Sequence, residues 1–444
     1  MSTMKMILYN MLLSVAALGL APWYAWRVLV SGKYRKSTGP KLGFHPAHTL
    51  ENLEGSPRIW IHAVSVGEVT AAAPILAKLR QMHPRGVLLL STSTETGQEA
   101  ARRLVPQASA IFYFPLDIPR VIRGVLERAA PDIFVTVETE LWPNFIRICR
   151  QRSLKVVMVN GRLSPRSFRN YRVTRFFWKG ILEGLDAAGV ISETDGLRLR
   201  EIGMDPARIA VLGNAKYDGL LERATPALRH ETARLLGIDD DDPVIVAGST
   251  HEGEEAILAD AYEQLLAVSP GLRLVLVPRH VDRAPGLAAM MRDRGFQVAS
   301  LADIEGGKAD FRTPVIVVDI MGRLFGIYSV ATVVFCGGSL VPRGGQNVLE
   351  AAAWGKVILH GPSMDDFREE GDRLDRAGAA ISVENGEAFV RETARLLADS
   401  GERRRRGEAG RMVVEENRGA AERYALLISE GVRGLDGNRI TESR

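Results

Sequence analysis

Three groups in the first half of the chain are of types that move protons or balance charge. Glu68 follows Gly67 within "IWIHAVSVGEVTAAAPILAKLR" (59–80), which reads as a buried strand, a short turn and a helix. Such a turn usually faces a phosphate, because the first helical N–H groups are unpaired and point outward. A carboxylate there would repel one, so the turn asks for other chemistry. Glu138 and Glu140 end a second apolar run in "TVETELWPN" (136–144), and Lys216 lies in "GNAKYD" (213–218). Taken singly, Glu138 and Lys216 also read as a structural ion pair, and Glu68 as a charge favoured by the helix dipole. Their common position at strand ends of one half favours a working site.

The second half has a different character. "VPRH" (277–280) ends a strand with Arg279 and His280, both suited to a phosphate. "DIMGRLFGIY" (319–328) and "GSTHEGEE" (248–255) are further strand-to-helix turns. "FCGGSLVPRGGQNVLEAAAWGK" (335–356) reads as a strand, a Gly-rich loop and a helix starting near Asn347, where N–H groups and the dipole would favour a phosphate. Glu350, one turn in, is spaced to accept hydrogen bonds from a ribose. Each turn alone is a weak signal, and each is also readable as structural. None is a Walker loop or GxGxxG, which disfavours ATP hydrolysis and NAD binding.

Positioning these groups requires strands whose ends line up. Short apolar runs at 59–63, 87–91, 133–137 and 156–160 alternate with helical stretches, and the pattern restarts at 244–247, 274–277, 315–318, 333–336 and 357–360. That alternation indicates parallel sheets covered on both faces, and ligands bind at the carboxyl ends of such strands. A chain of 444 residues is too long for one ordinary core. Two Rossmann-like halves facing a cleft are expected, with the acidic stretch 238–243 as the link between them. His62, inside an apolar strand, reads as a core histidine. The eight histidines form no HxH or HExxH pair and the two cysteines, Cys149 and Cys336, no CxxC, so neither a metal nor another cofactor is expected.

Residues 6–26 are almost wholly apolar and uncharged, long enough to cross or enter a bilayer. Trp23, Tyr24 and Trp26 close the run, and Arg27, Lys33, Arg35 and Lys36 follow it. Bulky aromatics and Pro22 replace the small residues of a cleavage site, so a retained anchor is expected, with everything downstream cytoplasmic. In 164–180, Arg166, Arg169, Arg172 and Arg175 recur every three residues among aromatics. If helical, they form a basic stripe beside an aromatic face. An anionic membrane suits it, and so does an ordinary solvated helix; nucleic acid is not the expected partner. The net charge of +4 is mildly in favour of anionic partners.

"HAVSVGEV", "ETELWPN", "NGRLS", "GNAKYD", "GSTHEGEE", "VPRH" and "GGSLVPRGGQNVLEAAAWGK", in this order, resemble the 3-deoxy-D-manno-oct-2-ulosonic acid (Kdo) transferases of lipid A assembly. The resemblance extends from the N-terminal run to about residue 370. It implies the GT-B glycosyltransferase fold, α/β with two Rossmann-like domains facing a cleft and a C-terminal helix returning to the first. The expected division is 1–36 as membrane anchor, 37–235 as acceptor domain, 236–400 as CMP-sugar domain and 401–444 as the returning helix and tail. The implied activity is inverting transfer of Kdo from CMP-Kdo to the tetraacyl lipid A precursor at the inner-membrane surface. Glu68 then corresponds to the general base, and Glu138 and Lys216 to groups that stabilise the transition state. Arg279 and His280, the turn of Met321, Gly322 and Arg323, and the helix start of Asn347, Val348, Leu349 and Glu350 correspond to CMP-binding segments. Gln346 and Arg323 depart from the family pattern, which often has His and Glu there. A nucleotide-sugar epimerase of the same architecture and a non-catalytic membrane module that binds nucleotide or lipid are the alternatives.

Overall fold

The structure is a computed structural model that describes residues 3–30, 34–51 and 53–442; Lys33 lies outside them, as does the side chain of Tyr24. The chain divides into two units, the first made of 1–218 and 419–444, the second of 219–418.

In the first unit the strands are β1 (Arg58–His62), β2 (Val87–Thr92), β3 (Ala110–Tyr113), β4 (Ile133–Val137), β5 (Lys155–Gly161), β6 (Ala187–Val190) and β7 (Ile209–Val211). They form a parallel sheet in the order β3-β2-β1-β4-β5-β6-β7. Because the crossover helices cover both faces, β2 and β4 are buried at every position and are apolar over most of their length. One face packs Trp60 against Phe112, Phe134 and Phe145, with the indole N–H donating to Ser91 Oγ at 2.8 Å. The other face is covered by the helices Val66–Met82 and Ala420–Glu442. Val69, Ala72, Ile75, Leu76 and Leu79 recur at helical spacing and are all fully buried, which fixes how the first of these helices sits.

The second unit holds β8 (Val244–Thr250), β9 (Arg273–Pro278), β10 (Val298–Ser300), β11 (Val315–Val317), β12 (Val333–Cys336), β13 (Ile358–His360) and β14 (Ala380–Ser382), parallel in the order β10-β11-β9-β8-β12-β13-β14. In both sheets the chain reverses its direction of winding beside the first strand, between β1 and β4 and between β8 and β12. Ligands of doubly wound folds bind outside the strand ends at that point.

Nine strands fall where the apolar runs predict them. The short strands β3, β6, β7, β10 and β14 did not stand out, because three or four residues such as Ala-Ala-Gly-Val carry no usable pattern. The acidic stretch 238–243 is a turn inside the second unit, leading into β8, with Arg229 on Asp240 at 2.6 Å. The helix Pro226–Leu236 likewise belongs to the second unit, where it packs on the helix Leu324–Tyr328.

Candidate functional site

In the first unit the winding reversal brings together the ends of β1 and β4, and with them the three groups singled out above. β1 runs out through Ala63 and Val64 to Ser65, whose extended backbone caps the helix Val66–Met82. Glu68 is therefore in the first helical turn and is only 7% exposed. Its Oε2 accepts from the Val64 N–H at 2.7 Å, and Ser65 Oγ donates to Oε1 at 3.4 Å. Burial pushes the Glu68 pKa up to about 8, and the neighbouring carboxylates of Glu138 and Glu140 push the same way. The Val64 N–H and the Lys216 ammonium oppose this and are outweighed. Desolvation thus overrides the helix start, and the carboxyl is a proton acceptor of near-neutral strength.

β4 ends at Val137, and Glu138 leaves it in the left-handed region at φ +57. Asn160, closing the neighbouring β5, is left-handed too at φ +52. Such backbone costs on the order of 1 kcal/mol for a residue with a Cβ and persists only where the surroundings fix it. Here the Glu138 N–H donates to the Val159 carbonyl at 2.9 Å, and Asn160 Oδ1 accepts from the Ala215 N–H at 2.9 Å. That last bond holds the loop carrying Lys216, whose Nζ lies 2.8 Å from Glu138 Oε1. A Cβ added to Gly67 would lie 3.9 Å from the same Nζ, so the amine sits against the glycine that precedes Glu68. The loop is also tied down by the C-terminal helix: Tyr424 donates to the Gly213 carbonyl at 2.8 Å, and Asp218 accepts from Gly419 and Ala421, both at 2.6 Å. Glu68, Glu138 and Lys216 are one electrostatic group. Glu140 joins it, its own pKa raised by burial and by Glu138.

In the second unit the phosphate-type residues are arranged less simply than the sequence suggests. Glu254 is fully buried and takes up the N–H groups of Gly338 and Leu340 at 2.7 and 2.9 Å, with His251 and Ser339 each at 2.9 Å. The front of the Gly-rich loop is therefore closed around a carboxylate of the chain itself. The helix beyond it, Leu349–Ala353, has five residues, and Asn347 Oδ1 already accepts its Leu349 N–H at 3.1 Å. A five-residue helix adds little dipole, and one of its first N–H groups is already taken by Asn347, so the positive side chains nearby carry most of the favourable field for an anion. Arg279 and His280 are exposed beyond the end of β9, and the His280 ring stands edge-on to His251 at 6.0 Å. Burial lowers the His251 pKa, and the charges of Arg343, His280 and Arg279 lower it further. Arg343 stands with Arg279 in a positive cluster around the His251 ring, whose own protonation burial and these charges disfavour against the pull of Glu254. The approach of His251 to Gly338, whose φ is +69 and whose missing Cβ leaves room for it, Arg343 and Gln346, is tertiary.

Asn347 Nδ2 reaches Glu350 Oε1 at 3.4 Å, and burial raises the Glu350 pKa against the Arg223 charge. Val348 and Leu349 are buried. Met321 is exposed and Gly322 takes φ +83, while Arg323 pairs with Glu305 at 2.7 Å. This turn leads into the helix Leu324–Tyr328, which packs on Leu349–Ala353, so the two segments share one side of the unit. His62 is a core residue as expected: fully buried, stacked on Phe114 at 3.8 Å, Nδ1 on Ser91, its pKa pushed down to about 3 by burial.

The basic segment is two helices, Pro165–Val173 and Arg175–Leu182, broken at Thr174. Arg166, Arg169, Arg172 and Arg175 are exposed, Phe168, Tyr171, Phe177 and Trp178 lean on the core, and Phe176 stays 65% exposed. The N-terminal helix Thr3–Leu29 contains a 20-residue run, Met4–Trp23, of mean hydropathy 1.6, long and apolar enough for a membrane.

Residues 36–219 match the family model described as 3-deoxy-D-manno-octulosonic-acid transferase (kdotransferase). The chain is 32% identical over 399 residues to the 3-deoxy-D-manno-octulosonic acid transferase of Haemophilus influenzae, covering 90% of this chain and 92% of that one. It is 30% identical over 427 residues to the transferase of that name from Bordetella pertussis, covering 92% and 96%. Among solved structures it is similar to a glycosyltransferase from Rickettsia africae, with a TM-score of 0.55 and 14% identity over 85% of this chain and 99% of that one. A UDP-GlcNAc 2-epimerase from Neisseria meningitidis gives 0.56 and 14% over 80% and 98%. At such identities these likenesses show the fold, GT-B, and nothing more.

Proposed function

The chain belongs to the family of Kdo transferases and is a glycosyltransferase of lipopolysaccharide biosynthesis; we propose that it moves Kdo from CMP-Kdo to a sugar hydroxyl of the lipid A precursor, with inversion, at the inner face of the inner membrane. The observation that carries the mechanism is the buried carboxyl of Glu68, raised to about 8 beside the Glu138–Lys216 pair.

Glu68 takes the proton of the attacking hydroxyl. A carboxyl of ordinary acidity would be too weak a base, whereas one near 8 matches the working pH. Lys216, held by Glu138, keeps a positive charge beside Glu68 and offsets the negative charge that gathers as the hydroxyl is activated. The leaving CMP carries one phosphate; Arg279 and Arg343 are the cations that would bind it, and His280 lies beside Arg279 as a further hydrogen-bonding group. Asn347 and Glu350 supply hydrogen-bonding groups for its ribose. Four exposed arginines beside Phe176 suit an anionic lipid surface. The epimerase alternative has only the shared fold behind it. A non-catalytic module would leave a base-strength carboxyl and its charge partners without a use.

Purified protein given CMP-Kdo and the tetraacyl acceptor should release CMP only when both are present. Glu68→Gln should lower turnover at least about 100-fold with CMP binding unchanged. Near wild-type turnover in that variant would remove the base from the mechanism. Arg169→Glu with Arg172→Glu should weaken binding to anionic vesicles while leaving CMP affinity as it was.

A further inference from the structure

The N-terminal helix Thr3–Leu29 is held to the first unit at its start and bare beyond it. Lys5 Nζ donates to the Phe176 carbonyl at 2.7 Å, and the Tyr9 ring lies 5.9 Å from Phe177. Tyr9 donates to Asp117 Oδ2 at 2.9 Å, and the side-chain amides of Asn10 and Asn144 exchange hydrogen bonds at 2.7 and 3.3 Å. Asp117 is itself buried and fixed by the N–H groups of Asn144 and Phe145, so this is a built socket. Past it, Met11, Leu12, Val15, Leu18, Leu20, Trp23, Trp26 and Leu29 are all at least half exposed. An apolar surface of that extent needs a cover.

The chain then returns to the same loop. The Leu116 N–H donates to the Lys41 carbonyl at 2.9 Å, one residue from the aspartate that receives Tyr9. Residues 9 and 41 are thus fixed to adjacent residues of one loop on one unit. From Tyr9 to Leu29 the helix axis advances about 30 Å, the thickness of a bilayer core. A crossing would put Leu29 on the far side, and the chain would have to cross back before Lys41. The links from Leu29 to Tyr34 span at most about 18 Å, and the seven-residue helix Arg35–Lys41 adds about 10 Å. That return would carry Arg35, Lys36 and Lys41 through hydrocarbon, where charged side chains are costly.

We infer that the apolar helix is interfacial: it lies along the leaflet nearest the first unit and does not cross, leaving its N terminus and the first unit on one side of the membrane. The occupant of its bare faces is lipid hydrocarbon, with Arg27, Arg35 and Lys36 at the headgroups. This rests on the membrane attachment proposed above.

The test uses the full chain in inner-membrane vesicles of both orientations. Cys149 and Cys336 are buried with thiol pKa values pushed up by burial, so they form a quiet background. Glu127→Cys, on the exposed surface of the first unit, reports that unit's side. Met4→Cys should react with an impermeant maleimide in the same vesicles as Glu127→Cys. Asn10→Cys with Asn144→Cys should join through a short bis-methanethiosulfonate at least ten-fold more than Asn10→Cys alone, the control for Cys149. Labelling of Met4→Cys from the opposite face, or no cross-link above the control, would overturn the inference. A chain that fails to sediment with vesicles would instead defeat the membrane attachment, a separate result.

Discussion

Glu68 carries opposite demands for activity and stability. Its folded pKa is raised from 4.5 to about 8, so ionisation is resisted by the fold. The sign follows: the folded state is favoured fully below the ordinary carboxyl range, and this advantage is lost as pH rises through about 8. Glu68→Gln, which cannot ionise, should therefore melt higher than the parent at pH 9 and close to it at pH 5, while losing transfer; parallel thermal melts at the two pH values check this. With Glu68 as the base proposed above, the rate at limiting substrate should climb about ten-fold per pH unit below about 8 and level above it, the carboxylate being the working form of a base. Lys216→Met should move that limb to higher pH and Glu138→Gln to lower pH, because the ammonium lowers and the carboxylate raises the Glu68 pKa. A limb that stayed fixed in both would show that the pair does not act through Glu68.

At the scale of elements, the Gly-rich loop after β12 is shaped from within. Four N–H groups converge on Glu254, so Glu254→Ala would leave buried donors without an acceptor. The cost should be about 2–4 kcal/mol by denaturant unfolding. Glu254→Gln should recover part of it and part of the CMP affinity, the neutral amide still offering one acceptor oxygen. The sequence pattern showed this segment as strand, loop and helix. It did not show that the loop's N–H groups point at an acid from the turn after β8, because nothing in local spacing links residues 254 and 338. The left-handed backbones of Glu138 and Asn160 were likewise invisible, being imposed by neighbours and not by residue type.

Over the whole molecule, the C-terminal helix Ala420–Glu442 belongs to the first unit although it follows the second in sequence. Ala421, Tyr424, Ala425 and Ile428 are buried against the first sheet's helical layer. Removing 419–444 should therefore raise hydrogen exchange in β4, β5 and the Lys216 loop more than in β8 and β9; equal rises would mean that the helix is not specific to the first unit. The sequence by itself determined the parallel α/β class and the doubled pattern, and it picked out Glu68, Glu138, Lys216, Arg279 and His280 as candidates, because buried strands and the residues beyond their ends leave a local signature in side-chain type. Tertiary structure alone decided what governs the Glu68 carboxyl, how His251 approaches Gly338, and that Tyr9 and Lys41, either side of the bare apolar length, are fastened to one loop. Burial, field and chain return depend on residues far apart in the sequence, and no short-range pattern encodes them.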